Sequence, residues 1–140
     1  MDINACPLLY KLDAAFVPTD YTKLSRLLSV KGGSMKTYDL YGFDHDDLEA
    51  ARVAVEQALG VQLAPHESLH RGDYYRLDTV GEENFVLQRN FDPFYEELYK
   101  SEFPEISILF YVNGTERPEE LERILTARIP NLRLLRRRTL

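Results

Sequence analysis

Three stretches of the chain space their apolar residues as amphipathic helices do. The first, Val17–Lys31, places three leucines on one face and is followed by Gly32–Gly33, which can adopt the left-handed conformation that ends many helices. The second begins near Asp44, which can cap it, and stops at Gly60. The third begins at Pro118, because proline fits the first turn of a helix. The pattern therefore predicts three amphipathic helices.

Shorter stretches alternate between apolar and polar residues or are apolar throughout, as strands are. The predicted strands are Thr37–Tyr41, Val61–Leu69, Asp73–Val80, Asn84–Arg89, Ile106–Val112 and Leu132–Arg136. Turn signals at Arg71–Gly72–Asp73 and Gly81–Glu82–Glu83 make the middle third an antiparallel meander, and Asn113–Gly114 predicts a further turn. Because Ile106–Val112 is apolar on both pleats, we expect it in the middle of a sheet covered on both sides.

The order of these elements indicates the fold class. The last three read β-α-β, which implies a right-handed parallel crossover. We therefore predict an α+β fold: a mixed, largely antiparallel sheet with helices packed on it and a C-terminal β-α-β unit. The 140 residues suit a single domain over residues 1–140. A content of 44% hydrophobic and 29% charged residues is typical of globular proteins and argues against a disordered chain or a coiled coil.

Cysteine content and hydropathy bear on the compartment. The single cysteine, Cys6, excludes an internal disulfide framework, and we expect it to be a free thiol. The first ten residues show neither the basic start nor the apolar run of a signal peptide. The apolar run around Ile108–Val112 is far shorter than the roughly 20 residues that span a bilayer. These features predict a cytoplasmic protein.

Charge is unevenly distributed around a net value of −6. The segment Glu82–Glu122 holds eleven acidic and three basic residues, a balance of −8, whereas Arg123–Leu140 holds six arginines and no acid. An acidic segment attracts a basic protein and repels nucleic acid, and a basic tail does the opposite. The simpler interpretation, that both are solvated surface and partly neutralise each other, stays open.

The segment His66–Glu67–Ser68–Leu69–His70 has the letters of the zinc-protease motif. Pro65 and Gly72 leave no room for the long helix that brings the two histidines together, and in a strand they lie roughly 13 Å apart, too far for one zinc ion. We therefore expect no metal and no cofactor. Two alternatives stay open: a small cytoplasmic hydrolase that uses His66 or His70, and an RNA-associated adaptor that uses the C-terminal arginines Arg136–Arg138.

The segment Asp92–Glu102 predicts a short acidic helix that presents Tyr95 and Tyr99 on one face. Tyrosine among carboxylates suits a protein interface, because tyrosine anchors contacts and acids steer a basic partner; packing of both tyrosines on the sheet is the alternative. The predicted partner-binding residues are Glu82, Glu83, Tyr95, Glu96, Tyr99 and Glu102, with Asp46, Asp47 and Glu49 as a second acidic patch. The sequence contains no P-loop, G-x-G-x-x-G or G-x-S-x-G motif, and we predict no catalytic residues.

Four segments carry a resemblance to a known class of proteins. They are Arg71–Gly72–Asp73–Tyr74–Tyr75–Arg76, Glu83–Asn84–Phe85–Val86–Leu87–Gln88–Arg89–Asn90–Phe91–Asp92, Ile108–Leu109–Phe110–Tyr111–Val112–Asn113–Gly114 and Leu134–Leu135–Arg136. Between about Tyr38 and Arg137 the chain resembles small bacterial immunity proteins, the inhibitors encoded beside polymorphic toxins, including those of contact-dependent growth inhibition. The resemblance implies a cytoplasmic, non-enzymatic protein that binds and blocks one cognate toxin C-terminal domain stoichiometrically. Such toxins are commonly nucleases, often acting on tRNA, so a basic partner is expected and no direct contact with nucleic acid or membrane. Immunity families share no universal binding residues, so the resemblance transfers no site.

Overall fold

The structure, a computed structural model, describes residues 35–140. Its elements are β1 (Thr37–Phe43), α1 (Leu48–Leu59), β2 (Ala64–Ser68), β3 (Gly72–Asp78), β4 (Asn84–Arg89), β5 (Ile108–Thr115), α2 (Pro118–Arg128) and β6 (Leu132–Thr139). The predicted helix Val17–Lys31 and the predicted free thiol of Cys6 lie outside the described residues. Neither helix in the described range has the length and apolar character needed to cross a membrane.

Within residues 35–140 the strands form one six-stranded sheet in the order β2-β3-β4-β5-β1-β6, and every neighbouring pair is antiparallel. This confirms the α+β class, the largely antiparallel sheet and the meander, which runs from β2 to β5. The C-terminal β-α-β unit is β5-α2-β6. Its two strands run in the same direction, but β1 lies between them and pairs with both.

The sheet is covered on both faces by different parts of the chain. The two helices cover one face, where the main core includes Tyr41, Phe43, Val55, Phe110 and Leu125. The long connection between β4 and β5, residues 90–107, contributes Tyr99, Phe103 and Ile106 to a second cluster on the other face, with Leu40 and Leu109 of the sheet. Strand β5 is therefore buried on both pleats, as its continuous apolar run predicted. Each such buried side chain contributes about 1.5–3 kcal/mol to folding.

Helix α1 begins at Leu48 because Asp47 caps it: the Asp47 side chain accepts a hydrogen bond from the Ala50 amide at 3.0 Å. The predicted start at Asp44 was early, since the Asp44 amide bonds the Asn131 carbonyl at 3.1 Å and stays with the sheet. The predicted stop is confirmed, because Gly60 has φ +67° and its amide bonds the Glu56 carbonyl.

The predicted turn at Asn113–Gly114 is wrong, because β5 continues to Thr115. Between the pairs Thr37–Thr115 and Asp39–Val112, β5 has one residue more than β1, so these residues form a β-bulge. Gly114 has φ +63°, and a Cβ there would lie 2.7 Å from the Glu82 carbonyl oxygen. The glycine therefore serves a bulge inside a strand.

The predicted helix over Asp92–Glu102 is also wrong. Residues 93–96 form turns, closed by an isolated bridge between Asp92 and Glu97. The Asp92 carboxylate accepts hydrogen bonds from the amides of Phe94 (2.9 Å) and Tyr95 (3.2 Å). Such side-chain bonds to the backbone compete with helix formation, and Glu96 adopts a left-handed conformation with φ +58°.

Candidate functional site

Asn90 holds the two ends of the long connection together. Its side-chain amide is 2% exposed and donates to the carbonyls of Ile106 (2.9 Å), Phe103 (3.2 Å) and Lys100 (3.3 Å). Its side-chain oxygen accepts from the Lys100 amide at 2.7 Å. Because two amide hydrogens serve three carbonyls, at least one is shared. A single buried side chain therefore fixes where the connection leaves and rejoins the sheet.

Asp92 and His70 hold the first part of this connection against the hairpin between β2 and β3. The second Asp92 carboxylate oxygen lies 3.0 Å from Nδ1 of His70. Burial raises the pKa of Asp92, but hydrogen bonds from His70 and from the amides of Tyr95 and Phe94 outweigh burial and hold that pKa below its usual value. The ionised carboxylate thus links the turn at 92–95 to the hairpin.

Residues 91–98, here called the aromatic loop, present apolar side chains to solvent. Phe94 is 53% exposed and Tyr95 is 62% exposed, while Phe91 and Leu98 are also exposed. The rings of Phe94 and Tyr95 meet edge to face at 4.9 Å, and each lies about 5 Å from the His70 ring, at 5.1 and 5.2 Å. Leu69, next to His70, is 64% exposed. An apolar patch of this kind on a protein surface is typical of a binding site.

Carboxylates accompany the exposed rings. Glu96 and Glu97 lie within the aromatic loop and are both exposed. Aromatic anchors at the centre of an interface supply most of its binding energy, and charges at the rim steer the approach of a partner. A loop held by side-chain hydrogen bonds loses less conformational entropy when it binds than an unconstrained loop does. The arrangement can therefore bind a protein surface that offers an apolar pocket among basic side chains.

The structure places the two predicted residues Glu82 and Glu83 in different environments. Glu82 is exposed at the turn before β4, 4.0 Å from Lys36. Glu83 is 6% exposed and accepts hydrogen bonds from Thr79, Thr115 and Arg117. Glu83 therefore stabilises the fold from the inside and is not accessible as a contact, which corrects its place in the predicted surface.

The second acidic patch, Asp46, Asp47 and Glu49, lies at the start of α1, on the opposite face of the sheet from the aromatic loop. Asp47 is the helix cap. Glu49 pairs with Arg52 and accepts a hydrogen bond from the Tyr75 hydroxyl at 3.0 Å. The two predicted acidic patches therefore do not form one continuous surface.

Tyr95 and Tyr99, predicted on one helical face, point differently. Tyr95 is exposed, whereas Tyr99 is half-buried in the second core cluster and donates its hydroxyl hydrogen to the His70 carbonyl at 2.7 Å. Glu102 is exposed and pairs with Arg136 at 3.0 Å. The structure thus groups Tyr95 and Glu96 in the aromatic loop, while Tyr99 supports that loop from below.

His66 and His70 have separate surroundings, consistent with the strand that replaces the zinc-motif helix. His66 in β2 stacks on Tyr74 at 5.3 Å, and His70 pairs with Asp92. No group of three or more metal-ligating side chains is found in residues 35–140. Nor does a hydroxyl or thiol from the same range hydrogen-bond to the imidazole ring of His70, although a histidine oriented by a carboxylate is one part of a hydrolytic triad.

The C-terminal arginines lie in β6 and face in different directions. Arg137 points toward the helices, where it binds Asp39 at 2.8 Å and Glu122 at 3.0 Å. Asp39 is buried in β1, so this ion pair links the sheet to α2. Arg136 lies on the other face and binds Glu102. The three arginines therefore do not form one basic strip.

Sequence reasoning missed the roles of Asn90, Asp92 and His70, which position the aromatic loop. One local signal was present: Asp92–Pro93 is a pair of residues that favours the start of a turn. The pairing of Asp92 with His70, 22 residues away, depends on tertiary structure and leaves no local pattern.

Comparison of this chain with protein-family models, with curated proteins and with solved structures gives no match.

Proposed function

We propose that this chain is an immunity protein that binds and neutralises a cognate toxin domain through the aromatic loop. The observation that carries the proposal is the exposure of Phe94 and Tyr95 in a turn whose backbone amides donate hydrogen bonds to Asp92. The resemblance of residues 38–137 to bacterial immunity proteins supports the same function. Inhibition by binding is stoichiometric and uses no catalytic residue of this chain.

The chemistry of the loop favours a basic partner. Glu96 and Glu97 add two negative charges beside the exposed rings, on a chain whose net charge is −6. A nuclease domain presents basic side chains to its nucleic-acid substrate, so its substrate cleft is complementary to this surface. The proposed partner is therefore a basic, nuclease-type toxin domain, encountered in the cytoplasm.

Removing the two exposed rings tests the proposal. The double variant Phe94→Ala/Tyr95→Ala is expected to bind the toxin domain encoded beside this chain at least roughly thirtyfold more weakly, since a central aromatic anchor contributes about 2 kcal/mol or more. Isothermal titration calorimetry measures the dissociation constant. Because both side chains are exposed, the melting temperature should hardly change.

The matched control for this variant is Val53→Ala/Val80→Ala, which also removes two exposed apolar side chains, from α1 and from the turn after β3. We expect wild-type affinity from the control. Equal affinity of the wild-type protein and the Phe94→Ala/Tyr95→Ala variant would exclude the aromatic loop as the binding surface.

Charge reversal tests whether the acidic side chains of the aromatic loop speed association with a basic partner. The variant Glu96→Lys/Glu97→Lys is expected to associate with a basic toxin roughly tenfold more slowly at low ionic strength, and the difference should shrink in high salt because salt screens exposed charges. Stopped-flow fluorescence measures the association rate. The control Asp44→Lys/Glu119→Lys makes the same change in net charge at two exposed acids outside both predicted patches. If both variants slow association equally, total charge matters and the loop has no special role.

The two other candidates stay predictions, and the first has its own test. The hydrolase alternative gains the His70–Asp92 pair, and hydrolysis of a test ester that is lost in His70→Ala would support it. The RNA-adaptor alternative is less favoured, because the Arg137 side chain is already paired with Asp39 and Glu122.

A further inference from the structure

His70 shares the exposed surface of the aromatic loop with the rings of Phe94 and Tyr95. Its ring centre lies 5.1 Å from that of Phe94 and 5.2 Å from that of Tyr95, and those two rings are 4.9 Å apart. The His70 side chain is 44% exposed, and Leu69 beside it in the β2–β3 hairpin is also exposed. A partner that covers the two aromatic rings therefore also covers the imidazole.

Asp92 determines which nitrogen of the His70 ring carries the hydrogen. Burial raises the pKa of Asp92, but the hydrogen bonds that its carboxylate accepts outweigh burial, so the group is ionised near neutral pH. An ionised carboxylate only accepts hydrogen bonds, so Nδ1 of His70, 3.0 Å from Oδ2 of Asp92, is the donor. In the neutral imidazole Nε2 then carries a lone pair, and the geometry of the ring directs it away from Asp92.

We propose that Nε2 of His70 accepts a hydrogen bond from a lysine or arginine side chain of the toxin domain and thereby selects a partner with a cation at this position. The inference rests on the proposed function, because it concerns the same surface. Glu96 and Glu97 in the aromatic loop favour a basic partner, and a hydrogen bond from a charged donor is stronger than one between neutral groups. A partner that brings an apolar group to Nε2 would bury this acceptor unpaired, which lowers its affinity.

The proposed hydrogen bond depends on pH, because histidine is the side chain that ordinarily titrates between about pH 5 and 8. The charged and titratable groups packed around His70 include Asp92, Tyr95 and Tyr99 of the long connection, with Arg71 next to it in the hairpin. Carboxylates, tyrosines and arginines ordinarily keep one charge state in that range. Protonation of His70 leaves Nδ1 bonded to Asp92 but turns Nε2 into a donor beside a cation. Binding of the toxin domain should therefore weaken as pH falls.

The first test measures the His70 tautomer in the free chain and needs no toxin. Nitrogen NMR of the isotope-labelled imidazole distinguishes a protonated ring nitrogen from one that carries a lone pair. At about pH 8 we expect the hydrogen of the neutral His70 ring on Nδ1 and the lone pair on Nε2. A ring with its hydrogen mainly on Nε2 would overturn the proposal, because that atom could not accept a hydrogen bond.

The second test uses His70→Asn, which separates the roles of the two ring nitrogens. An asparagine amide can still donate to Asp92 but places no atom where Nε2 lies. The variant is expected to bind the toxin domain roughly tenfold or more weakly at about pH 8, the loss that follows from one hydrogen bond to a charged group, and to lose the pH dependence that His70 confers. Calorimetric titration between about pH 5 and 8 measures both effects. The matched control is His66→Asn, which removes an exposed histidine of β2 that stacks on Tyr74 and should keep wild-type affinity and pH dependence.

The outcomes separate this inference from the proposed function. A complex whose affinity and pH dependence are the same in His70→Asn as in the wild type would overturn the inference and leave the proposed function standing. Equal losses in His70→Asn and His66→Asn would also overturn it, because the effect would then not depend on the position of Nε2. The absence of any complex with the wild-type chain would overturn both. The tautomer measurement uses the wild-type chain, so it remains decisive if His70→Asn does not fold.

Discussion

Replacing Asn90 with alanine is expected to lower the free energy of unfolding by about 3 kcal/mol and to weaken toxin binding, although Asn90 does not reach the surface. The variant leaves the Ile106 carbonyl and the Lys100 amide without the Asn90 side chain as partner, while the Phe103 carbonyl keeps only the Ile106 amide. Each such hydrogen bond contributes about 1 kcal/mol, and an unpaired buried group costs at least as much. Urea denaturation measures the stability change.

The effect on binding distinguishes a positioned loop from a mobile one. Without Asn90 the aromatic loop samples other conformations, and the partner must then select the competent one, which lowers the apparent affinity. Asn113→Ala is the matched control, since it removes a half-buried asparagine with one side-chain hydrogen bond, to Asn84 at 3.1 Å. It should cost about 1 kcal/mol and leave binding unchanged. Full toxin affinity in Asn90→Ala would show that the loop needs no such support.

Glu83→Gln is expected to cost about 3 kcal/mol, because it leaves the donors of Arg117, Thr115 and Thr79 facing an amide in a buried site. Burial opposes ionisation of Glu83, but the Arg117 charge and the hydrogen bonds from Arg117, Thr115 and Thr79 hold its pKa below the usual 4.5. A lowered folded-state pKa stabilises the protein at pH values above the unfolded-state pKa. That contribution is lost as pH falls through the folded-state value.

Measurements of the free energy of unfolding against pH therefore distinguish the contribution of Glu83 from that of other acidic residues. Wild type should lose stability as pH falls below about 4.5, and Glu83→Gln should show a shallower decline, because one group that titrates on unfolding has been removed. The neighbouring Glu82→Gln is the control, since its side chain is exposed. Identical pH slopes in wild type and Glu83→Gln would contradict the role assigned to the buried carboxylate.

The sequence pattern predicted an element correctly where the spacing of apolar residues matches the burial of the same residues in the structure. The alternation in Asn84–Arg89 predicted β4 to the residue, with Phe85 and Leu87 in the main core, and Pro118 marked the first turn of α2. The unbroken apolar run that became β5 predicted a strand covered on both faces. In these segments the apolar side chains lie in the core, and Gln88 of β4 is a polar exception, buried at 1% exposure.

Tertiary contacts determine the conformation of the segments for which the local sequence predicted a different element. Asn113–Gly114 has the letters of a turn, but pairing of β5 with β1 continues through it and the glycine accommodates a bulge. Tyr95 and Tyr99 have helical spacing, but Asp92 and Asn90 bind the backbone of the connection and replace the helix with turns. The candidate site depends on these long-range hydrogen bonds. The composition of this segment indicated an acidic surface that carries tyrosine. The contacts by which His70 and Asn90 hold the segment in place could be recognised only from the folded structure.

The most direct test of the proposed function is co-expression of this chain with its proposed partner, the C-terminal domain encoded immediately upstream, scored by growth and by co-purification. The wild-type chain should restore growth and form a one-to-one complex, and the Phe94→Ala/Tyr95→Ala variant should do neither while remaining folded. Continued toxicity in the presence of the wild-type chain, with no complex recovered, would contradict the proposal that this protein is an immunity protein.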